Sequence, residues 1–128
     1  MLKVVCALIK RNNKVLIARR KTGDEYVLGK WEFPGGKVNK NEKDEVAIER
    51  EIKEELEITV KARKLIATSI YNYPSKKVEL KMYECDYIKG NIKLHDHAEY
   101  AWVSINDLLG FDLALADISL AKSIINLK

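Results

Sequence analysis

Apolar and polar positions along the chain fall into short runs with two different periods. Val4 to Ile9 is an apolar, β-branched run, Arg11-Asn12-Asn13 is a turn signal, and the apolar pattern resumes from Lys14 to Ala18. This predicts a β-hairpin. Gly23 to Lys30 reads as a polar loop, Trp31-Glu32-Phe33 as a short extended piece, and Pro34-Gly35-Gly36 as a break in regular structure. The period then changes. Ile48, Ile52 and Leu56 recur every four residues, the apolar stripe of a helix over roughly 42–56, with Asn41 as its expected cap and acids crowding the first turn. Val60 to Tyr73 and Val78 to Ile88 read as strands joined by a turn at Tyr73-Pro74-Ser75-Lys76, and Glu99 to Val103 as another. Ser104-Ile105-Asn106-Asp107 reads as a capping box opening a short helix, and Ile118 to Leu127 carries a second helical stripe. The order β-β-loop-α-β-β-β-α-α implies an α+β fold, a mixed sheet with helices packed on it.

Length places all of this in one domain, because 128 residues suffice for one core and little more. Hydrophobic residues at 47% and charged residues at 33% are ordinary for a globular domain. The apolar run near the N-terminus is too short for a signal sequence and no stretch reaches membrane-spanning length, so a cytoplasmic protein with no membrane partner is expected. Cys6 and Cys85 each sit alone in an apolar strand and read as buried core thiols.

Charge changes the picture. Between Glu42 and Glu57 there are eight acids and three bases, a net of −5, whereas the whole chain is +4. A basic body with one acidic helix suits an anionic substrate met by a divalent cation, although a merely solvated helix would show the same sum. Glu51, Glu54 and Glu55 are spaced i, i+3, i+4 and share one helical face. Carboxylates so crowded repel one another unless a cation neutralises them, and all-oxygen ligands suit Mg²⁺ or Mn²⁺. Gly35 allows close backbone approach, so its carbonyl is a further candidate ligand. Arg20 and Lys37 are candidate phosphate-binding residues. Phe33, Tyr71, Trp31 and Tyr73 are candidates to stack on a base, with core packing as the plainer role for most of them. Asp117 is placed either to accept a hydrogen bond from a base or simply to favour a helix N-terminus. His95 and His97 lack companion ligands for a transition metal and read as loop polarity.

The stretch from Gly36 to Ile58 resembles the Nudix box, G-x5-E-x7-R-E-U-x-E-E-x-G-U with U a bulky aliphatic. Gly36, Glu42, Arg50, Glu51, Ile52, Glu54, Glu55 and Ile58 match, and Glu57 stands where the family has glycine. That departure should cost about 1 kcal/mol in a left-handed cap or move the cap by a residue. Trp31-Glu32-Phe33-Pro34-Gly35-Gly36-Lys37 and Val15-Leu16-Ile17-Ala18-Arg19-Arg20 are similar to the MutT branch. His95-Asp96-His97 and Leu115-Ala116-Asp117-Ile118 look like the bacterial CTP pyrophosphohydrolases related to it.

The resemblance implies a single Nudix domain over 1–128, with its box at 36–58. The implied fold is an α/β/α sandwich with the box helix on one side of a mixed sheet and the C-terminal helix on the other. It implies Mg²⁺, with Mn²⁺ possible, held by Glu51, Glu54 and Glu55 with the Gly35 carbonyl, and Glu99 as one more metal-associated glutamate. Glu51 takes the role of base, with Glu54 beside it, and Arg50 holds the carboxylates in place. Glu42 is either a distal ligand or a first-turn acid. The implied activity is hydrolysis of a (d)NTP to the monophosphate and diphosphate, on an oxidised purine such as 8-oxo-dGTP or on CTP or dCTP. The partner is then a small nucleotide, with no stable nucleic-acid partner, and the protein a monomer or homodimer. Hydrolysis of ADP-ribose, a nucleotide sugar or capped RNA is the alternative enzyme reading. A non-catalytic nucleotide-binding module is the other, and the full set of box glutamates argues against it.

Overall fold

The computed structural model describes residues 1–126. The apolar run at the N-terminus forms β1 (Leu2–Arg11) and is followed by β2 (Lys14–Arg20), antiparallel to it. Asn12 and Asn13 both have positive φ, 53° and 64°, the left-handed pair that a two-residue hairpin turn requires and that asparagine tolerates. After a loop come β3 (Trp31–Glu32) and β4 (Gly35–Lys37), then α1 (Asp44–Leu56), β5 (Thr59–Tyr73), β6 (Lys76–Lys89), β7 (His97–Val103), a 3₁₀ turn over Ile105–Gly110, and α2 (Leu115–Asn126).

The strands make one mixed sheet in the order β3-β2-β1-β6-β5, with β4 on β1 and β7 on β2. β1 and β6 are parallel over nine residue pairs, and the other named pairings are antiparallel. β1 is buried continuously from Val5 to Ile9 because both its faces are covered. Val5, Ala7 and Ile9 pack with Ala47, Ile48, Ile52 and Leu56 of α1. Cys6 and Leu8 pack with Ala116, Leu120, Ala121 and Ile124 of α2. The sandwich expected from the sequence is thus the architecture observed, and both cysteines are buried and free. Among the described residues no helix is long and apolar enough to cross a membrane.

Several boundaries differ from the sequence expectation. Pro34-Gly35-Gly36 does not end regular structure, since Gly35 and Gly36 pair with Cys6 and Val5 in a short strand. A Cβ on Gly35 would strike the Val5 carbonyl, so glycine permits this pairing. The helix starts at Asp44, with Lys43 as its cap residue and no side-chain cap bond, while Asn41 sits outside it at φ 65°. Ser104 makes no side-chain cap bond, so the expected capping box is absent, and the Asp107 N–H bonds the Ser104 carbonyl instead. The last helix begins at Leu115 rather than Ile118. Leu127, the expected end of its stripe, lies outside the described residues.

Candidate active site

Burial of Ile48, Ile52 and Leu56 fixes the roll of α1 and turns its acidic face to the end of the sheet where β4 lies. The eight acids then separate by the partners they find. Asp44 accepts a hydrogen bond from the Tyr83 hydroxyl at 2.8 Å, and Glu49 accepts the Ala62 N–H at 3.0 Å, so both tie the helix to neighbouring strands. Glu42 is not a first-turn acid, and both of its carboxylate oxygens are bonded by Arg50. It precedes the helix and receives both Nε and Nη2 of Arg50, at 2.8 and 2.9 Å, together with the Asn39 N–H. The Arg50 hydrogen bonds, helped by the Asn39 N–H, hold its carboxyl down at about 2. The Arg50 guanidinium also donates to Glu51 at 2.9 Å, to Glu54 at 3.4 Å and to the Lys37 carbonyl at 3.2 Å. The Glu51 carboxyl lies against Gly36, where a Cβ would collide with it.

Glu55 is different. Its Oε2 is buried and has no hydrogen-bond partner. Burial, followed by the charges of Glu32, Glu51 and Asp96, pushes its carboxyl up to about 8. Among the described residues no three His, Cys, Asp or Glu side chains already converge as a metal cluster, because Glu51 and Glu54 are turned onto Arg50. An unpartnered, half-buried carboxyl beside further carboxylates is nevertheless a donor set that suits a hard divalent cation.

Two residues that the sequence did not single out complete this corner. Glu32 Oε2 lies 2.9 Å from His97 Nε2, within hydrogen-bonding distance, and 3.5 Å from Arg20 Nη1. His97 is buried, with its Nδ1 unpartnered, which corrects its reading as loop polarity. The register explains the grouping: Ala18 faces Glu32 and Arg20 faces His97, all on the α1 side of the sheet. A charged residue between Trp31 and Phe33 in a short apolar strand was the signal available for Glu32. His97 had no such signal, because plain alternation from Glu99 would put it on the other face and only the irregularity opposite Arg19 and Arg20 brings it here.

From this corner a cleft of about 330 Å³ opens on the α2 side of the sheet. Arg20, Glu32, Gly35, Gly36 and Lys37 line its mouth, and Phe33, Tyr73, Cys6 and Asp117 line it farther in. The Phe33 N–H donates to Asp117 Oδ1 at 3.1 Å, and burial, then the charge of Glu32, raises the Asp117 carboxyl well above the usual carboxylate range. When protonated, Asp117 offers a donor and an acceptor at the wall of the cleft.

Three of the candidates from the sequence are not brought here. Glu99 shares the face of Ala101 and Val103, away from α1, and its carboxylate bonds Arg19 Nε at 2.8 Å. Tyr71 packs on the Tyr73 ring at 4.9 Å between centroids and lines a separate shallow depression with Leu115 and Ile118. Trp31 likewise packs edge-on against Phe111.

A model of the NUDIX domain matches residues 1–125. The CTP pyrophosphohydrolase of Escherichia coli (strain K12) is 32% identical over 128 residues, covering 100% of this chain and 94% of that protein. An 8-oxo-dGTP diphosphatase of Buchnera aphidicola subsp. Schizaphis graminum (strain Sg) is 34% identical over 111 residues, covering 85% of this chain and 82% of the other. Among solved structures, the E. coli ORF135 protein superposes with a TM-score of 0.88 at 31% identity, over 99% of this chain and 90% of that one. The MutT protein from Methanosarcina mazei Go1 gives 0.86 at 30% identity, over 99% and 95%.

Proposed function

The chain belongs to the Nudix hydrolase family, and from that premise we propose that it is a MutT-like enzyme that hydrolyses a nucleoside triphosphate to the monophosphate and diphosphate. The observation that carries this reading is the buried, unpartnered Glu55 oxygen on the acidic helix, beside the corner where Glu32 and Arg20, with Lys37, line a cleft. Glu51, Glu54 and Glu55, with the Gly35 carbonyl, hold Mg²⁺ or Mn²⁺. When bound, the dication lowers the pKa of attacking water and offsets charge on the phosphate oxygens. Arg50 fixes the direction of Glu51 and Glu54, and Glu51 takes the proton from the water. Arg20 and Lys37 bind the phosphates, while Phe33 and Asp117 hold the base in the cleft.

CTP or dCTP is the first substrate class, supported by full-length similarity to a CTP pyrophosphohydrolase and by the Leu115–Ile118 stretch that carries Asp117. An 8-oxo-purine is the second, supported by similarity to 8-oxo-dGTP diphosphatases. The two buried free thiols fit a reducing cytoplasm, where a nucleotide pool is met. A panel of nucleoside triphosphates and diphosphates with Mg²⁺, following diphosphate against orthophosphate release, tests the reading. Diphosphate from a cytidine or 8-oxo-guanosine triphosphate is expected. Release of orthophosphate alone, or no release from any nucleotide, overturns it.

A further inference from the structure

Among the described residues four non-glycine residues adopt positive φ, and three of them are asparagines, a residue that tolerates this region well. The fourth is Glu57, at φ 59° and ψ 25°, which ends α1 with its N–H on the Lys53 carbonyl. No shift of the cap relieves it. Its side chain instead reaches the segment between β6 and β7, where Glu57 Oε2 lies 2.6 Å from His95 Nε2.

That segment is laid across the end of α1 by several contacts. Lys93 N–H donates to the Leu56 carbonyl at 2.9 Å, filling one of the helix's open acceptors. Gly90, at φ 111°, sits so close to the helix exit that a Cβ there would lie 3.0 Å from the Ile58 Cα. The Tyr87 hydroxyl bonds the Gly90 carbonyl, and the Asp96 carbonyl accepts the Lys21 N–H at 3.4 Å. The two residues that follow His95 are those that reach the active-site corner: Asp96, whose charge acts on Glu55, and His97, on Glu32.

We propose that Glu57 is a positioning residue: through His95 it straps the 90–96 segment over the end of α1 and so holds the entry to β7, where His97 meets Glu32. The proposal rests on the hydrolase reading above, because its consequence is read at that site. The Glu57 carboxylate touches no reacting atom. It replaces a conformationally easy glycine cap with a strained one that carries a tether. Stability and activity therefore separate. A merely structural surface pair would give a protein that is more comfortable with glycine at this position and catalyses as before.

Glu57→Gly tests this beside Glu57→Gln, which retains a hydrogen-bonding side chain, and His95→Ala, which cuts the tether without touching the cap. Wild type turning over the best nucleotide of the panel is the control: if it does not, the hydrolase reading fails and the strap is not what has failed. With turnover present, Glu57→Gly is expected to keep or raise Tm, by up to roughly 3 °C. Amide exchange at Lys93 should be faster by about tenfold, and kcat lower by about five- to tenfold with KM within about twofold. His95→Ala should match it in exchange and kcat, the double variant should fall no further, and Glu57→Gln should recover most of kcat. Wild-type kcat in both Glu57→Gly and His95→Ala, whether or not Lys93 exchange changes, overturns the proposal. So does additive loss in the double variant.

Discussion

Glu42 and Glu55 belong to the same acidic stretch, thirteen positions apart, and the fold treats them in opposite ways. At the near end Arg50 grips Glu42 with two nitrogens and reaches Glu51 as well, and the Glu42 carboxyl stays ionised down to about 2. At the far end Glu55 is half-buried, faces Glu32, Glu51 and Asp96, has one oxygen with no partner, and holds its proton up to about 8. One end is neutralised by the chain itself. The other keeps a buried oxygen with no partner within the chain, a cost a fold commonly retains where an ion or water completes it. The difference teaches that one acidic stretch can hold both a carboxylate matched by an arginine and one whose buried oxygen has no partner.

The widest separation between the two ends should appear in turnover. Glu55→Gln keeps shape and neutral polarity but cannot supply a carboxylate to a dication, so kcat with Mg²⁺ is expected to fall on the order of 10²- to 10³-fold. Steady-state assays on the best nucleotide check this. A Glu55→Gln enzyme within about threefold of wild type would erase the distinction between the two ends.

Next in size is the arginine at the neutralised end. Arg50→Lys retains the charge, but one ammonium cannot meet both oxygens of Glu42 while also reaching Glu51 and the Lys37 carbonyl. A loss of about 10- to 100-fold in kcat is expected, with KM within about threefold, since the guanidinium holds carboxylates and not nucleotide. Measured kcat and KM beside the melting curve sharpen the comparison. A large rise in KM with unchanged kcat would instead place Arg50 on the substrate.

Much of this was legible in the sequence. The stripe of Ile48, Ile52 and Leu56 fixed which helical face is buried, and continuous burial of Val5 to Ile9 follows from a run without alternation. The Glu51, Glu54 and Glu55 face followed from helical spacing alone. What stayed hidden depends on contacts between distant segments. Glu32, Arg20 and His97 meet only because β3 and β7 pair with the same strand, and a bulge between Arg19 and Arg20 brings His97 to the Arg20 face while Glu99 keeps the face of Ala101 and Val103. Glycines usually read as breaks, yet Gly35 and Gly36 are strand residues because Val5 and Glu51 press on them. Asn41 has the right chemistry for a cap, but Glu42 bonded to Arg50 and to the Asn39 N–H delays the helix by two residues.

The smallest expected effect is thermodynamic, and it isolates the far end from catalysis. In an unfolded chain a glutamate ionises near 4.3, whereas Glu55 in the metal-free fold ionises near 8. Between those values the folded state binds more protons than the unfolded one. Its contribution to stability is therefore fully present below about 4.3, is lost as pH rises towards 8, and levels off above that. Asp117, raised in the same direction, adds to the same slope. Glu55→Gln has nothing to ionise, so in chelator it should match wild type at or below about pH 4 and exceed it near pH 9. The expected gap is on the order of 2 kcal/mol, reduced from the full shift because Glu55 is partly open to solvent. Urea unfolding across that range measures it. Parallel curves for the two proteins would mean that Glu55 finds a counter-charge within the chain after all, and the contrast with Glu42 would go.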